Sequence, residues 1–229
     1  MYKNPETVEL ASLEDHREPA YTATINKRLL TRLSPYFTAL LEGGFSESTK
    51  NVLPLDSYPY ELRIFEEWVS TGIVTFTSEW FCEWMSLYVF ADYYDLPALG
   101  RDIMSFLVEQ RDKSQLFFFI GTYLDYVPSS SPLYRFCVEV CVHHLDCDRN
   151  LGRGGYEKLP KEFMWDVITG LSNKSANKPC PCCHKHCDFH KHDSEEEWQK
   201  SESCLGYCHE PFIYILNSMS AYQPGLCKA

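Results

Sequence analysis

Between positions 180 and 209 the chain carries six cysteines, Cys180, Cys182, Cys183, Cys187, Cys204 and Cys208, and five histidines, His184, His186, His190, His192 and His209. A stretch this short and polar cannot bury enough apolar surface to fold on a core of its own. Any packed core must therefore come from the residues before it, and the run itself needs a metal to become ordered. The linker Ser172-Asn173-Lys174-Ser175-Ala176-Asn177-Lys178-Pro179 divides the two parts.

The bulk properties narrow the classes of function. Of 229 residues, 45% are hydrophobic and 15% aromatic, enough for a packed core. A formal charge of -11 opposes sequence-independent binding to nucleic acid or to anionic membranes, both of which need a cationic face. Met1 to Glu6 has no basic segment followed by an apolar run, so no signal peptide is expected, and the longest apolar stretch, Leu116 to Ile120, is too short to span a bilayer. The expectation is an intracellular protein, cytoplasmic or nuclear, in a reducing compartment where clustered thiols bind metal rather than pair as disulfides.

The first 172 residues read as mixed α and β elements. Val8 and Leu10, then Tyr21, Ala23 and Ile25, alternate with polar neighbours across a turn at Asp15 to Pro19, which predicts two paired strands. Leu29, Leu33, Phe37 and Leu41 recur every four residues and predict one helix ending at Gly43-Gly44. Val52 to Leu55 predicts a short strand, Glu61 to Val69 a helix stopped by Gly72, and Ile73 to Phe76 a second short strand. Further helices are predicted with Trp80, Trp84, Leu87, Tyr88, Ala91 and Tyr94 on one face, and after Asp95-Leu96-Pro97 with Leu99, Ile103, Phe106 and Leu107 inward, Ser78 being a candidate cap for the first. Beyond residue 112 come a helix ahead of Pro128, one opened by Ser131-Pro132 with Leu133, Phe136, Cys137, Val140 and Cys141 inward, and one opened by Pro160 with Phe163, Met164, Val167, Ile168 and Leu171 inward.

The blocks Lys27-Arg28-Leu29-Leu30, Leu33-Ser34-Pro35-Tyr36-Phe37, Phe45-Ser46-Glu47-Ser48, Phe65-Glu66-Glu67-Trp68, Thr71-Gly72 and Leu87 to Tyr94 follow one another in an order and spacing that resembles the BTB/POZ domain of filamentous-fungal proteins. The resemblance covers about residues 21 to 108, and the helices to 171 are similar to the extension that follows such domains. It implies an α+β fold, a small β-sheet flanked by helices, with residues 6–110 as the BTB/POZ domain, 111–172 as a helical extension and 173–229 as a Cys/His-rich tail. By function it implies a protein-protein interaction or oligomerisation module that self-associates or captures a protein partner. Roles in the family include substrate adaptors of cullin-type ubiquitin ligases, and a transcription-associated scaffold is a further expectation. Two departures stand out: Asn26 occupies the place where such domains usually carry histidine, and the first strand lacks its usual Asp-valine pattern.

Zinc takes four nitrogen or sulfur ligands in a tetrahedron, and pairs spaced by two to four residues let one turn supply two of them. Cys187-x-x-His190 and Cys204-x-x-x-Cys208, thirteen residues apart, are the expected ligands of a structural zinc ion. His192 competes for a place, since Cys187, His190 and His192 resemble a Cys-x-x-His-x-His element that recurs after fungal BTB domains. Cys180, Cys182, Cys183, His184 and His186 are alternates or a second site. A recognition helix for DNA between the two pairs is opposed by four acids within Asp193 to Glu197. No nucleophile, oxyanion hole or phosphate-binding loop is recognisable: His143-His144 beside Cys147 and Asp148 reads as a helix end, and Gly152-Arg153-Gly154-Gly155 as a connection. No catalytic residue is expected, and the chain is read as a binding protein rather than an enzyme. The alternative is a zinc-dependent regulatory protein whose Cys/His tail is the recognition surface.

Overall fold

The computed structural model describes residues 7–13, 20–44, 50, 52–76, 81–109, 116–144, 159–173, 189 and 213–215. Strands β1 (Thr7–Ala11) and β2 (Thr22–Asn26) pair antiparallel with Val8 opposite Ile25, and β3 (Val52–Pro54) runs parallel to β1, so the sheet order is β2-β1-β3. Alternation decides which face is covered: Val8, Leu10, Ala23, Ile25 and Leu53 are buried while their neighbours along each strand face out. The fold is mixed α and β, mostly helical, with this small sheet at one side.

Helix α1 (Lys27–Leu33) and helix α2 (Pro35–Glu42) replace the single helix expected from the four-residue apolar period. Pro35 forces the preceding residue out of helical geometry, and Ser34 accordingly sits extended at φ -144 and ψ 120. Proline then occupies the first turn of α2, where its missing N–H costs nothing. The break also rotates the stripe, leaving Leu30 and Phe37 in the core and Leu29 exposed.

Helix α3 (Pro59–Thr71) begins earlier than its apolar period suggested because Pro59 opens it. The Tyr58 N–H donates to Glu61 Oε2 at 2.7 Å, covering one of the free donors of the first turn. The helix ends on Gly72 at φ 71, a left-handed position that glycine adopts without a Cβ clash, and β4 (Ile73–Thr75) follows. Helix α4 (Phe81–Tyr93) is covered nearly all round, with Trp84, Met85, Ser86, Leu87, Tyr88, Phe90 and Ala91 buried. It ends in a Schellman turn: Leu96 N–H donates to Ala91 O at 2.8 Å, and Asp95 takes the left-handed position at φ 47. Pro97 then opens α5 (Pro97–Glu109), whose inward Leu99, Ile103, Phe106 and Leu107 are as expected. Ser78, Trp80 and the Phe45 to Ser48 block lie outside the described residues.

Helix α6 (Leu116–Tyr123) runs into a short 3₁₀ turn at Leu124–Tyr126. Helix α7 (Pro132–His144) is capped by Ser131, whose hydroxyl accepts from Tyr134 N–H at 3.1 Å. Its inward face, Leu133, Phe136, Cys137, Val140 and Cys141, is buried as expected, and burial pushes the Cys137 thiol well up and the Cys141 thiol up to about 12, marking inert core thiols. Helix α8 (Lys161–Ser172) lies against α7: Tyr134 donates to Asp166 Oδ2 at 2.8 Å, and a Cβ on Gly170 would meet Val142 Cγ2 at 2.5 Å. That approach turns Phe163 and Val167 inward and corrects two expectations, since Ile168 and Leu171 are 52% and 46% exposed. An unforeseen strand, β5 (Ile213–Ile215), pairs parallel with β4. The core runs without interruption from β1 to α8, so the extension packs on the same apolar interior as the sheet and α3 to α5.

Glu61 sits inside this core. Ser86 on α4 donates to it, Tyr60 also hydrogen-bonds it, and Ser86 in turn hydrogen-bonds Tyr60 and Tyr123, so one polar group ties α3 to α4 and α6. Loss of hydration is the main cause that raises its pKa from 4.5 to about 7, with Asp56 adding repulsion and the hydrogen bonds from Ser86, Tyr58 N–H and Tyr60 opposing the rise. The folded state therefore prefers the protonated acid. It carries no penalty from this group below pH 4.5, loses stability as pH rises toward 7, and holds a constant penalty on the order of 3 kcal/mol above that. Urea denaturation at acid and at alkaline pH is expected to show a smaller stability gap for Glu61→Gln than for the wild type; an unchanged gap contradicts the assignment.

Candidate protein-interaction surface

Large apolar side chains divide into a buried set and a small exposed set. Tyr36 and Tyr93 are 38% and 65% exposed, yet both lean on one buried ring. Tyr36 meets Tyr94 edge-on with centroids 5.3 Å apart and Phe37 at 5.2 Å, and Tyr93 meets Tyr94 edge-on at 4.9 Å. Tyr94 itself stacks on Phe37 at 5.7 Å. Edge-to-face contacts between aromatic rings contribute about 1 kcal/mol each beyond burial, so the two exposed tyrosines are held in place before anything binds.

Ser34 fixes the base of this patch. Its hydroxyl donates to the Tyr94 carbonyl at 2.6 Å and accepts from the Phe37 N–H at 3.1 Å, joining the start of α2 to the end of α4 inside the core. Exposed, preorganised tyrosine is the side chain most suited to protein recognition: it offers a large apolar face with a polar tip and loses few rotamers on binding. Leu29 on α1 and Val52 on β3 are further exposed apolar side chains of this N-terminal part.

The sheet is locked to α3. The Tyr21 hydroxyl donates to Glu66 Oε2 at 2.5 Å and the Thr24 N–H to Glu66 Oε1 at 3.0 Å, while the Arg63 guanidinium lies 5.8 Å from the Tyr21 ring centroid. The hydrogen bond to the carboxylate is the main reason that the Tyr21 hydroxyl is shifted toward higher pH. Trp68 Nε1 donates to Asp102 Oδ2 at 2.8 Å and carries the same helix onto α5.

All ten expected or alternate metal ligands, Cys180, Cys182, Cys183, His184, His186, Cys187, His190, His192, Cys204 and Cys208, lie outside the described residues. So do Cys147, Asp148 and Gly152 to Gly155. Among the described residues no three His, Cys, Asp or Glu side chains converge on one point that could hold a metal ion. The Cys/His run does send one described side chain into the body. Phe189, between Cys187 and His190, is 3% exposed and meets Phe136 of α7 edge-on at 5.2 Å. Burying one phenylalanine ring contributes about 2 kcal/mol. Its signal in the sequence is plain in retrospect: it is the one apolar residue from Cys187 to Asp193.

Among the described residues no helix is long and apolar enough to cross a membrane. No protein-family model matches the sequence, and no curated protein matches it significantly.

Replacing Ser34 with alanine removes both hydrogen bonds at the base of the patch. Ser34→Ala is expected to cost about 2 kcal/mol in urea denaturation and to raise hydrogen exchange at Phe37. A loss below a few tenths of a kcal/mol would remove this serine from the account.

Proposed function

We propose that the chain is a protein-protein interaction and oligomerisation module of the BTB/POZ type, extended by the helices α6 to α8. The observation that carries the proposal is the pair of exposed tyrosines, Tyr36 and Tyr93, braced on buried Tyr94. The order of elements supports it: two short helices joined at Ser34-Pro35, α3 with its Gly72 end, and α4 carry five of the six blocks on which the family resemblance rests. Net acidity and the absence of a cationic stripe in the sequence direct the reading toward a protein partner. In this reading α1, α2 and the end of α4 present the contact surface. Service as a substrate adaptor for a cullin-type ubiquitin ligase is the specific role that the resemblance suggests. The test is association measured by sedimentation of the full chain, alone and with a captured partner. Tyr36→Ala with Tyr93→Ala is expected to weaken the association at least about tenfold, since central tyrosines carry on the order of 1 to 2 kcal/mol each. Unchanged association in a folded double variant overturns the surface.

A second reading draws support from Phe189. Its burial holds one point of the Cys/His run against α7. In this reading Cys187, His190, Cys204 and Cys208 form a Cys₃His donor set, a combination of soft thiolates and imidazole suited to structural zinc. Bound zinc would supply folding free energy on the order of 10 kcal/mol to a segment lacking its own core. Elemental analysis of the full chain is expected to find zinc near one equivalent and Cys204→Ser to lose it. Equal zinc content in both proteins sinks the ligand choice.

A further inference from the structure

Three of the exposed large apolar side chains stand on one helix, α8. Trp165, Ile168 and Leu171 are 69%, 52% and 46% exposed, and with half-buried Met164 they form a stripe along it. Met164, Ile168 and Leu171 follow the i, i+4, i+7 spacing by which one helix lies along another. The opposite face fixes where the stripe points. Phe163 and Val167 enter the core, Asp166 accepts from the Tyr134 hydroxyl at 2.8 Å, and Gly170 closes on Val142. The helix cannot roll to bury the stripe without breaking these contacts.

Charge leaves the stripe open to a like-charged molecule. The chain carries -11 overall, yet the exposed charged residues of α8 are Lys161 and Glu162, which cancel. Thr169 and Ser172, the other exposed polar residues of the helix, are neutral. Two copies can therefore meet here without bringing like charges together.

We propose that this stripe pairs with the same stripe of a second copy, the two α8 helices running antiparallel across a two-fold axis at Ile168. A contact between identical patches must be complementary to itself, and this one is. Trp165 lies three residues before Ile168 and Leu171 three residues after it, so each indole meets the shorter leucine of the other copy and the two isoleucines meet at the axis. The three exposed side chains offer roughly 300 Å² of apolar surface per copy, or roughly 600 Å² for the pair. Somewhat more than half of an interface is apolar, so this area supplies the apolar share of a contact of about 1,000 Å², the lower bound for a specific pair. The pairing uses neither Tyr36 nor Tyr93 and does not rest on the tyrosine surface.

Sedimentation equilibrium of the full chain in a Tyr36→Ala, Tyr93→Ala background reads the α8 surface alone, so failure of the tyrosine surface leaves its readings unchanged. An equilibrium between monomer and dimer is expected. Ile168→Lys and Ile168→Glu, at an exposed position where circular dichroism should stay unchanged, are each expected to raise the dimer dissociation constant at least about tenfold, because like charges then meet at the axis. An equimolar mixture of the two variants is expected to recover the dimer, since the new lysine of one copy faces the new glutamate of the other. A background chain that stays monomeric at every concentration overturns the proposal, and so does an Ile168→Lys chain that dimerises as the background does. A mixture that stays monomeric also overturns it.

Discussion

Helix α3 is the part on which the rest depends, and its most consequential bond is the one from Trp68 Nε1 to the buried carboxylate of Asp102. A carboxylate taken out of water is costly unless donors surround it, so this bond allows Asp102 to sit on the inner face of α5. Two residues and two turns earlier the same helix presents Glu66 to the sheet and Glu61 to Ser86 of α4. A single helix thus holds β2, α4 and α5 by three separate acid-centred contacts. The apolar interior supplies the bulk of the driving force, but these contacts choose which arrangement it takes.

From that arrangement the exposed aromatic patch follows. Pinning α4 by Glu61 and the sheet by Glu66 leaves the end of α4 beside the start of α2, where Ser34 closes the junction through the Tyr94 carbonyl. The aromatic residues there divide by geometry: Phe37 and Tyr94 go inward and stack, and Tyr36 and Tyr93 remain outside against them. Rigid aromatic groups on a fixed backbone make a binding surface of low entropic cost. At the same end of α4, the turn into α5 and the first turn of α7 border a cleft with Phe189 as one wall, and the helical extension shares the core with the sheet and α3 to α5.

Much of the fold was legible in the sequence because its signals were local. Alternation gave β1 and β2 their buried face, Gly72 ended α3, and the Ser131-Pro132 and Pro160 starts marked α7 and α8. The period through Leu29, Leu33, Phe37 and Leu41 outweighed the Ser34-Pro35 break in the reading, although the restriction that proline places on its predecessor is just as local. Ile168 and Leu171 have the right spacing for a core face, and only the close approach of Gly170 to Val142 shows that α8 turns them out. The acids of α3 could not be assigned from sequence, since partners 25 to 45 residues away leave no periodic trace. Of the Cys/His run, spacing spoke to zinc chemistry, while its described residue, the phenylalanine between the ligand candidates, packs on α7.

The proposed function places protein contact on the braced aromatic surface of Tyr36 and Tyr93. Hydroxyl-radical footprinting, read by mass spectrometry on the dispersed chain and on the assembled complex, tests it most directly. Tyr36 and Tyr93 should be labelled in the dispersed chain and protected in the complex, with Tyr126 labelled equally in both. Equal labelling of Tyr36 and Tyr93 in the two states would contradict the account.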